Sequence, residues 1–302
     1  MTSTFAIIVN DEISYVSDKQ EEPIFEVVIF AHALLKKLSK KNWNLHKIIL
    51  NPIQESEPIK LLIHRKFDRA DDLDVLYCMK GNFVNGSKLA YDMLHEFENC
   101  INEHYQGKEL VDIAQNNNIV FTQVCEETSY ILEQNYGKKS KQNLDSQESF
   151  EGDPALLYAG LSCQGLPIVS KLFAINLIDS DQTFSEDDFN KRLEFLETTI
   201  SGQLATISMN SFIRAKAYVE EIQLVLDEQE QQYGFINFNR MGANDQYTLE
   251  LFTMGVPSKS NEFISRVKNT AENKFECLQK PFAGELKPYS ALKEFFNNLE
   301  IS

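Results

Sequence analysis

The chain has 302 residues, 43% of them hydrophobic and 11% aromatic, which is enough apolar material for two cores of ordinary size. Its 45 acidic side chains outnumber the 29 basic ones, giving a net charge of −16 that repels nucleic-acid phosphates and anionic lipid and argues against both as direct partners. No stretch reaches the roughly 20 apolar residues that span a bilayer. The opening Met-Thr-Ser-Thr is not a signal peptide, so the expected location is cytoplasmic.

In chain order, Phe5–Val9, the turn at Asn10-Asp11 and Ile13–Val16 predict a β-hairpin. A helix follows. Pro23 suits its first turn, and Ile24, Val27, Val28, Ala31, Leu34, Leu35 and Leu38 recur at helical spacing toward a basic end at Lys36, Lys37, Lys40 and Lys41. The short apolar runs Lys47–Leu50, Ile59–Ile63 and Leu73–Met79 predict three strands. Ser87 then caps a helix carrying Leu89, Met93, Leu94, Phe97 and Ile101.

The same order returns in the second half. Leu156–Ser162, a turn through Gln164-Gly165 and Leu166–Phe173 predict another hairpin. Glu186, Asp187 and Asp188 place negative charge at a helix start, and Phe189, Leu193, Leu196, Ile200, Leu204 and Ile207 give that helix one apolar face. Ala217–Leu226, Tyr233–Phe238 and Tyr247–Val256 predict strands, and Phe263, Ile264, Val267, Ala271, Phe275 and Leu278 mark a closing helix. The polar segment 137–154, with only Leu144 and Phe150 as large apolar residues, reads as a flexible linker between a domain at 1–136 and another at 155–302.

Chemistry-bearing patterns are weak. Gly81-Asn-Phe-Val-Asn-Gly86-Ser87-Lys88 resembles a phosphate loop, but Ser and Lys are exchanged relative to the order in which Lys reaches the phosphates and the hydroxyl holds magnesium. All five histidines, His32, His46, His64, His95 and His104, lie in the first half, none at a spacing along the chain that builds a metal site. Cys78, Cys100, Cys125, Cys163 and Cys277 are odd in number and widely spaced, as expected of reduced core residues. No nucleophile elbow occurs. The reading therefore assigns no catalytic, cofactor-binding or metal-binding residues and no cofactor. The Lys36–Lys41 cluster is the sole candidate for peripheral membrane contact, although cations at a helix C-terminus ordinarily complement its dipole.

The first helix is unusual. Beyond its core stripe it carries Phe25, Ile29, Phe30 and Ala33, so it is apolar nearly all round for two turns. Such a helix is buried on both sides. One side covers its own sheet; the other needs the second half of the chain, a second copy in a homodimer, or another protein. These four residues are the candidate protein interface.

The order of two strands, a helix, three strands and a closing helix resembles the longin domain and its relative, the roadblock domain. Glu109–Ile113, Ile119–Phe121 and Glu126–Glu133 resemble the run that ends the small subunits of clathrin adaptors and coat complexes, where the last of these segments lies on a third helix. Tyr158-Ala-Gly160-Leu-Ser and Gly165-Leu-Pro-Ile168 resemble a longin or roadblock hairpin. The resemblance implies an α/β (α+β) protein with two such domains, each a five-stranded antiparallel sheet with one helix on one face and one or two on the other. It further implies a non-catalytic platform for a Ras-like small GTPase or another longin or roadblock subunit, acting as adaptor or guanine-nucleotide exchange factor in membrane-traffic-type regulation. Any exchange would work by displacing switch segments and magnesium, without covalent chemistry. The rival expectation is a small-molecule-sensing module with a pocket between sheet and helix.

Overall fold

The computed structural model describes residues 3–38, 43–54, 57–68, 72–81, 87–105, 107–115, 118–139, 155–174, 186–227, 232–255 and 257–300. Strands β1 (Thr4–Val9) and β2 (Glu12–Val16) form a hairpin whose turn residues Asn10 and Asp11 sit at φ of 48° and 67°. Asn and Asp tolerate that left-handed backbone, which matches the twist of the flanking strands. Helix α1 (Glu22–Leu38) follows, then β3 (Asn44–Pro52), β4 (Ile59–Asp68) and β5 (Leu73–Gly81). Three helices close this half: α2 (Ser87–His104), α3 (Lys108–Gln115) and α4 (Ile119–Lys139).

The second half opens with β6 (Ala155–Cys163) and β7 (Leu166–Leu172), turning through Gln164 and Gly165 at φ of 49° and 81°. It continues with α5 (Glu186–Arg214), β8 (Ala217–Asp227), β9 (Gln232–Met241), β10 (Tyr247–Met254), α6 (Pro257–Lys274) and α7 (Ser290–Asn297). Helix α5 runs past Ile207, where the apolar stripe of the sequence ends, to Arg214. The strand expected to reach Val256 stops at Met254. Most of the expected linker, residues 140–154, lies outside the described residues, as does the glycine loop at 82–86.

All ten strands form one antiparallel sheet in the order β2-β1-β5-β4-β3-β8-β9-β10-β6-β7. Each half contributes the same internal order read from its outer hairpin inward, and the halves join where β3 pairs β8 from Asn44 opposite Val225 to Pro52 opposite Ala217. Helices α1 and α5 cover one face over a single core that draws on both halves, including Phe25, Val28, Ile48, Leu204, Ile222 and Phe252. The opposite face carries two separate cores. Phe5, Tyr77, Phe97 and Phe121 anchor the one under α2 and α4; Tyr247, Phe263, Val267 and Phe296 anchor the one under α6 and α7.

The only tryptophan marks the seam. Trp43, just before β3, is 2% exposed and its ring lies 5.7 Å from that of Phe252 in β10. Gly234 of β9 makes this approach feasible, because a Cβ there would sit 2.9 Å from Phe252 and 3.0 Å from Trp43. Gly234→Ala is therefore expected to lower stability by about 1–3 kcal/mol through overpacking, with a change in the fluorescence of Trp43 in the folded state. Urea titration followed by that fluorescence checks both.

Glu250 of β10 is fully buried on the α5 side of the sheet, where Ser162 Oγ donates to its Oε1 at 2.6 Å and Oε2 has no partner among the described residues. Burial pushes its carboxyl up to about 8, with the Ser162 bond opposing only in part. Between the ordinary value of 4.5 and about 8 the folded chain holds a proton that the unfolded chain has released. Stability is thus fullest below the lower value, falls by about 1.4 kcal/mol per pH unit through that window, and stops falling above it. Glu250→Gln is expected to remove this slope, so its advantage over the wild type grows from about pH 5 to about pH 8 in paired urea titrations.

Candidate functional site

Helices α1 and α5 lie beside each other on the shared face, with the start of α1 next to the end of α5. Arg214 Nη1 reaches Glu26 Oε2 at 2.6 Å, and its guanidinium lies 5.7 Å from the ring centre of Phe30. Of the four residues expected to form an interface, Phe25 is wholly buried in the shared core. Ile29 and Phe30 are half-buried against that core, and Ala33 is half-buried. The second apolar face of α1 thus meets a helix of its own chain.

Helix α5 departs from the single apolar face read in its sequence. Phe195 is 72% exposed, Ile213 49%, Phe212 41% and Met209 39%, all on a helix whose other side is packed through Ile200, Leu204 and Ile207. The signal was present at seven-residue spacing in Phe195, Gly202 and Met209, which falls off the buried stripe. Gly202 is notable because a Cβ at that position would meet none of the described residues within 4 Å.

A polar network fixes α1 to the first hairpin and to β5. His32, 1% exposed, places Nδ1 3.2 Å from Asp11 Oδ1 and Nε2 3.4 Å from Asp74 Oδ2. Lys36 Nζ lies 2.6 Å from Asp11 Oδ2, and Arg65 grips Asp74 with two bonds of 2.7 and 2.9 Å. Burial lowers the His32 imidazole against the opposing pull of Asp74 and Asp11. Burial works to raise Asp11, but Lys36 and His32 outweigh it and hold the carboxyl below its ordinary value. Lys36, part of the basic cluster weighed for membrane contact, is therefore engaged within the fold, and Lys40 and Lys41 lie outside the described residues. Among the described residues no helix is long and apolar enough to cross a membrane.

On the other face of the sheet, the fold brings together residues that are scattered along the chain. His64 of β4 meets His95 and Glu98 of α2, with the ligand atoms of all three within 4.8 Å of one another. Glu98 Oε2 is 2.7 Å from His64 Nδ1 and 3.5 Å from His95 Nδ1. Burial alone would raise Glu98, yet the two histidines more than offset it and hold the carboxyl down to about 2. Spacing along the chain offered half the signal, because His95 and Glu98 stand three apart on one helix face. The third member comes from a strand that only the tertiary fold brings near.

All five cysteines are free thiols, with Cys78, Cys125 and Cys163 buried and Cys100 and Cys277 half-buried. Burial raises each thiol above its ordinary value, which disfavours the nucleophilic thiolate.

Core and rim positions on α1 separate energetically. Phe25→Ala is expected to cost about 3–5 kcal/mol, the range for emptying a buried aromatic site. Phe30→Ala should cost about 1–2 kcal/mol for partial burial and a cation–π contact. Denaturant titration of the two variants reads the contrast.

No family model matches the chain, and no curated protein matches it in sequence.

Proposed function

We propose that this chain is a non-catalytic interaction platform of the longin/roadblock kind, its two five-stranded halves paired internally. In this reading it binds a Ras-like small GTPase or another longin-type subunit through the outer surface of α5 and the adjoining rim of α1, as adaptor or exchange factor. The observation that carries the reading is the outward side of α5, where Phe195, Met209, Phe212 and Ile213 expose large apolar surface around Gly202. A glycine inside a helix costs about 1 kcal/mol relative to alanine. The open space above Gly202 means that packing among the described residues does not require it. Close approach of a partner's backbone gives the missing side chain a use, and clustered exposed apolar groups mark such surfaces.

Two cavities bear on the small-molecule rival. One of about 460 Å³ opens between the end of α6 and the start of α7 and is rimmed by Lys274, Glu276, Lys280 and Glu285. The other, of about 210 Å³, lies at the seam between the halves. Both open to solvent and have charged side chains in their lining, whereas the rival expectation is an enclosed apolar chamber between sheet and helix.

The test is binding of the immobilised protein to the small GTPases of its own genome, each in GDP-bound, GTP-analogue-bound and nucleotide-free form. Saturable binding in at least one form is expected, weakened about tenfold or more by Ile213→Glu at the C-terminal end of the surface. Gly202→Ala should raise unfolding stability by up to about 1 kcal/mol while weakening that same binding. Silence of the wild-type protein toward every GTPase in every form overturns the GTPase reading.

A further inference from the structure

The sheet parts on the α2 side near its middle. Strand β4 pairs β3 only from Leu62 opposite Lys47 to Ile59 opposite Leu50, but continues along β5 as far as Asp68. The N-terminal end of β3 pairs instead with β8, where the register shifts between Leu45 and Lys47 at a bulge around His46. Between the diverging strands lies the cavity of about 210 Å³, lined by Asn44, His46, His64, Tyr91 and His95 from the first half and Tyr233 from the second. Tyr91 braces it by stacking its ring 4.4 Å from that of His46 and donating a 2.8 Å bond to the His46 carbonyl.

We propose that His64, His95 and Glu98 form a binding site for a divalent transition metal, zinc matching the donors best, with its open side toward this cavity. Two imidazole nitrogens and a carboxylate are the donor set that suits zinc and its neighbours, and three protein ligands leave a fourth position to water. The spacing agrees. Tetrahedral bonds of 2.0–2.1 Å put ligand atoms about 3.3 Å apart. The separation of His95 Nδ1 from Glu98 Oε2 is 3.5 Å, and the 2.7 Å between His64 Nδ1 and the same oxygen needs to open by about half an ångström.

Two further observations set this cluster apart from an ordinary polar contact. His64 Nδ1 is buried and lies 2.7 Å from Glu98 Oε2, so imidazole and carboxylate already face each other where a metal would sit between them. The carboxylate is also held from behind. Tyr77 Oη donates to Asn102 Oδ1 at 2.9 Å, and the Asn102 amide donates to Glu98 Oε1 at 3.4 Å, leaving Oε2 toward the histidines. Such outer partners are what orient the ligands of metal centres. The site sits on rigid elements and is reached from the His95 side, whose side chain is 48% exposed, while that of Glu98 is only 10% exposed.

The experiment is titration of the full chain, stripped with a chelator, with zinc alone by calorimetry and with cobalt(II) alone by visible absorption. One equivalent of zinc is expected to bind, and cobalt should give the intense d–d bands of a four-coordinate site with nitrogen and oxygen ligands. His95→Ala, at a half-exposed position that leaves the core untouched, should abolish the bands and weaken zinc binding by about a hundredfold. Asn102→Ala should weaken it about tenfold through the orientation of Glu98. His104→Ala, at the end of the same helix, should change neither. Circular dichroism confirms that each variant is folded. Absence of stoichiometric zinc binding, or binding that survives His95→Ala unchanged, overturns the proposal.

Discussion

The edge strand of a sheet exposes a row of unpaired backbone donors and acceptors, and in this chain the inner edges of the two halves, β3 and β8, satisfy each other along their length. The rest of the architecture follows from that ladder. It puts α1 and α5 on one face close enough to share a core, and it brings Trp43 of one half against Phe252 and Gly234 of the other. It also sets the register that opens β3 away from β4 and leaves the histidine-lined cavity at the middle of the sheet. The two faces differ in kind. One carries a continuous core bridging the halves, while the opposite one keeps two cores apart, each under its own helices.

Much of this was legible in the residues. Asn10-Asp11 and Gln164-Gly165 announced the hairpins because few residues accept the positive φ those turns demand. The strands declared themselves as short apolar runs and the helices as stripes, since burial on one side imposes a period. The all-round apolarity of α1 showed that a second surface had to cover it. It did not show which surface, because that depends on the pairing of β3 with β8, residues separated by most of the chain. The same limit hid the grouping of His64 with His95 and Glu98: the helix supplied two members at adjacent positions on its face, but the third needed the topology. The outward apolar side chains of α5 were present in the sequence yet eclipsed by the stronger buried stripe beside them.

Polar groups inside the fold divide into those fully answered and those left wanting. Asp74, for instance, receives Arg65 in two bonds with His32 and Lys36 close by, so a buried carboxylate is held by several donors and the first hairpin, α1 and β5 become one unit. Glu250, by contrast, has one serine for one oxygen and, among the described residues, nothing for the other, and the fold tolerates it by keeping its proton. The first arrangement confers rigidity whose strength depends on charge; the second ties stability to pH between about 4.5 and about 8.

The junction between β3 and β8 lies within one polypeptide, and that has a consequence for stoichiometry. Two separate subunits joined the same way would part on dilution and would carry every feature in duplicate, related by symmetry. Here the joining is intramolecular, so it persists at any protein concentration, and the halves are free to differ. All five histidines belong to the first half, so the cavity at the seam has no histidine-bearing twin across the pseudo-symmetric axis. Whatever occupies this molecule therefore meets a surface with one polarity and one orientation, and is counted once per chain.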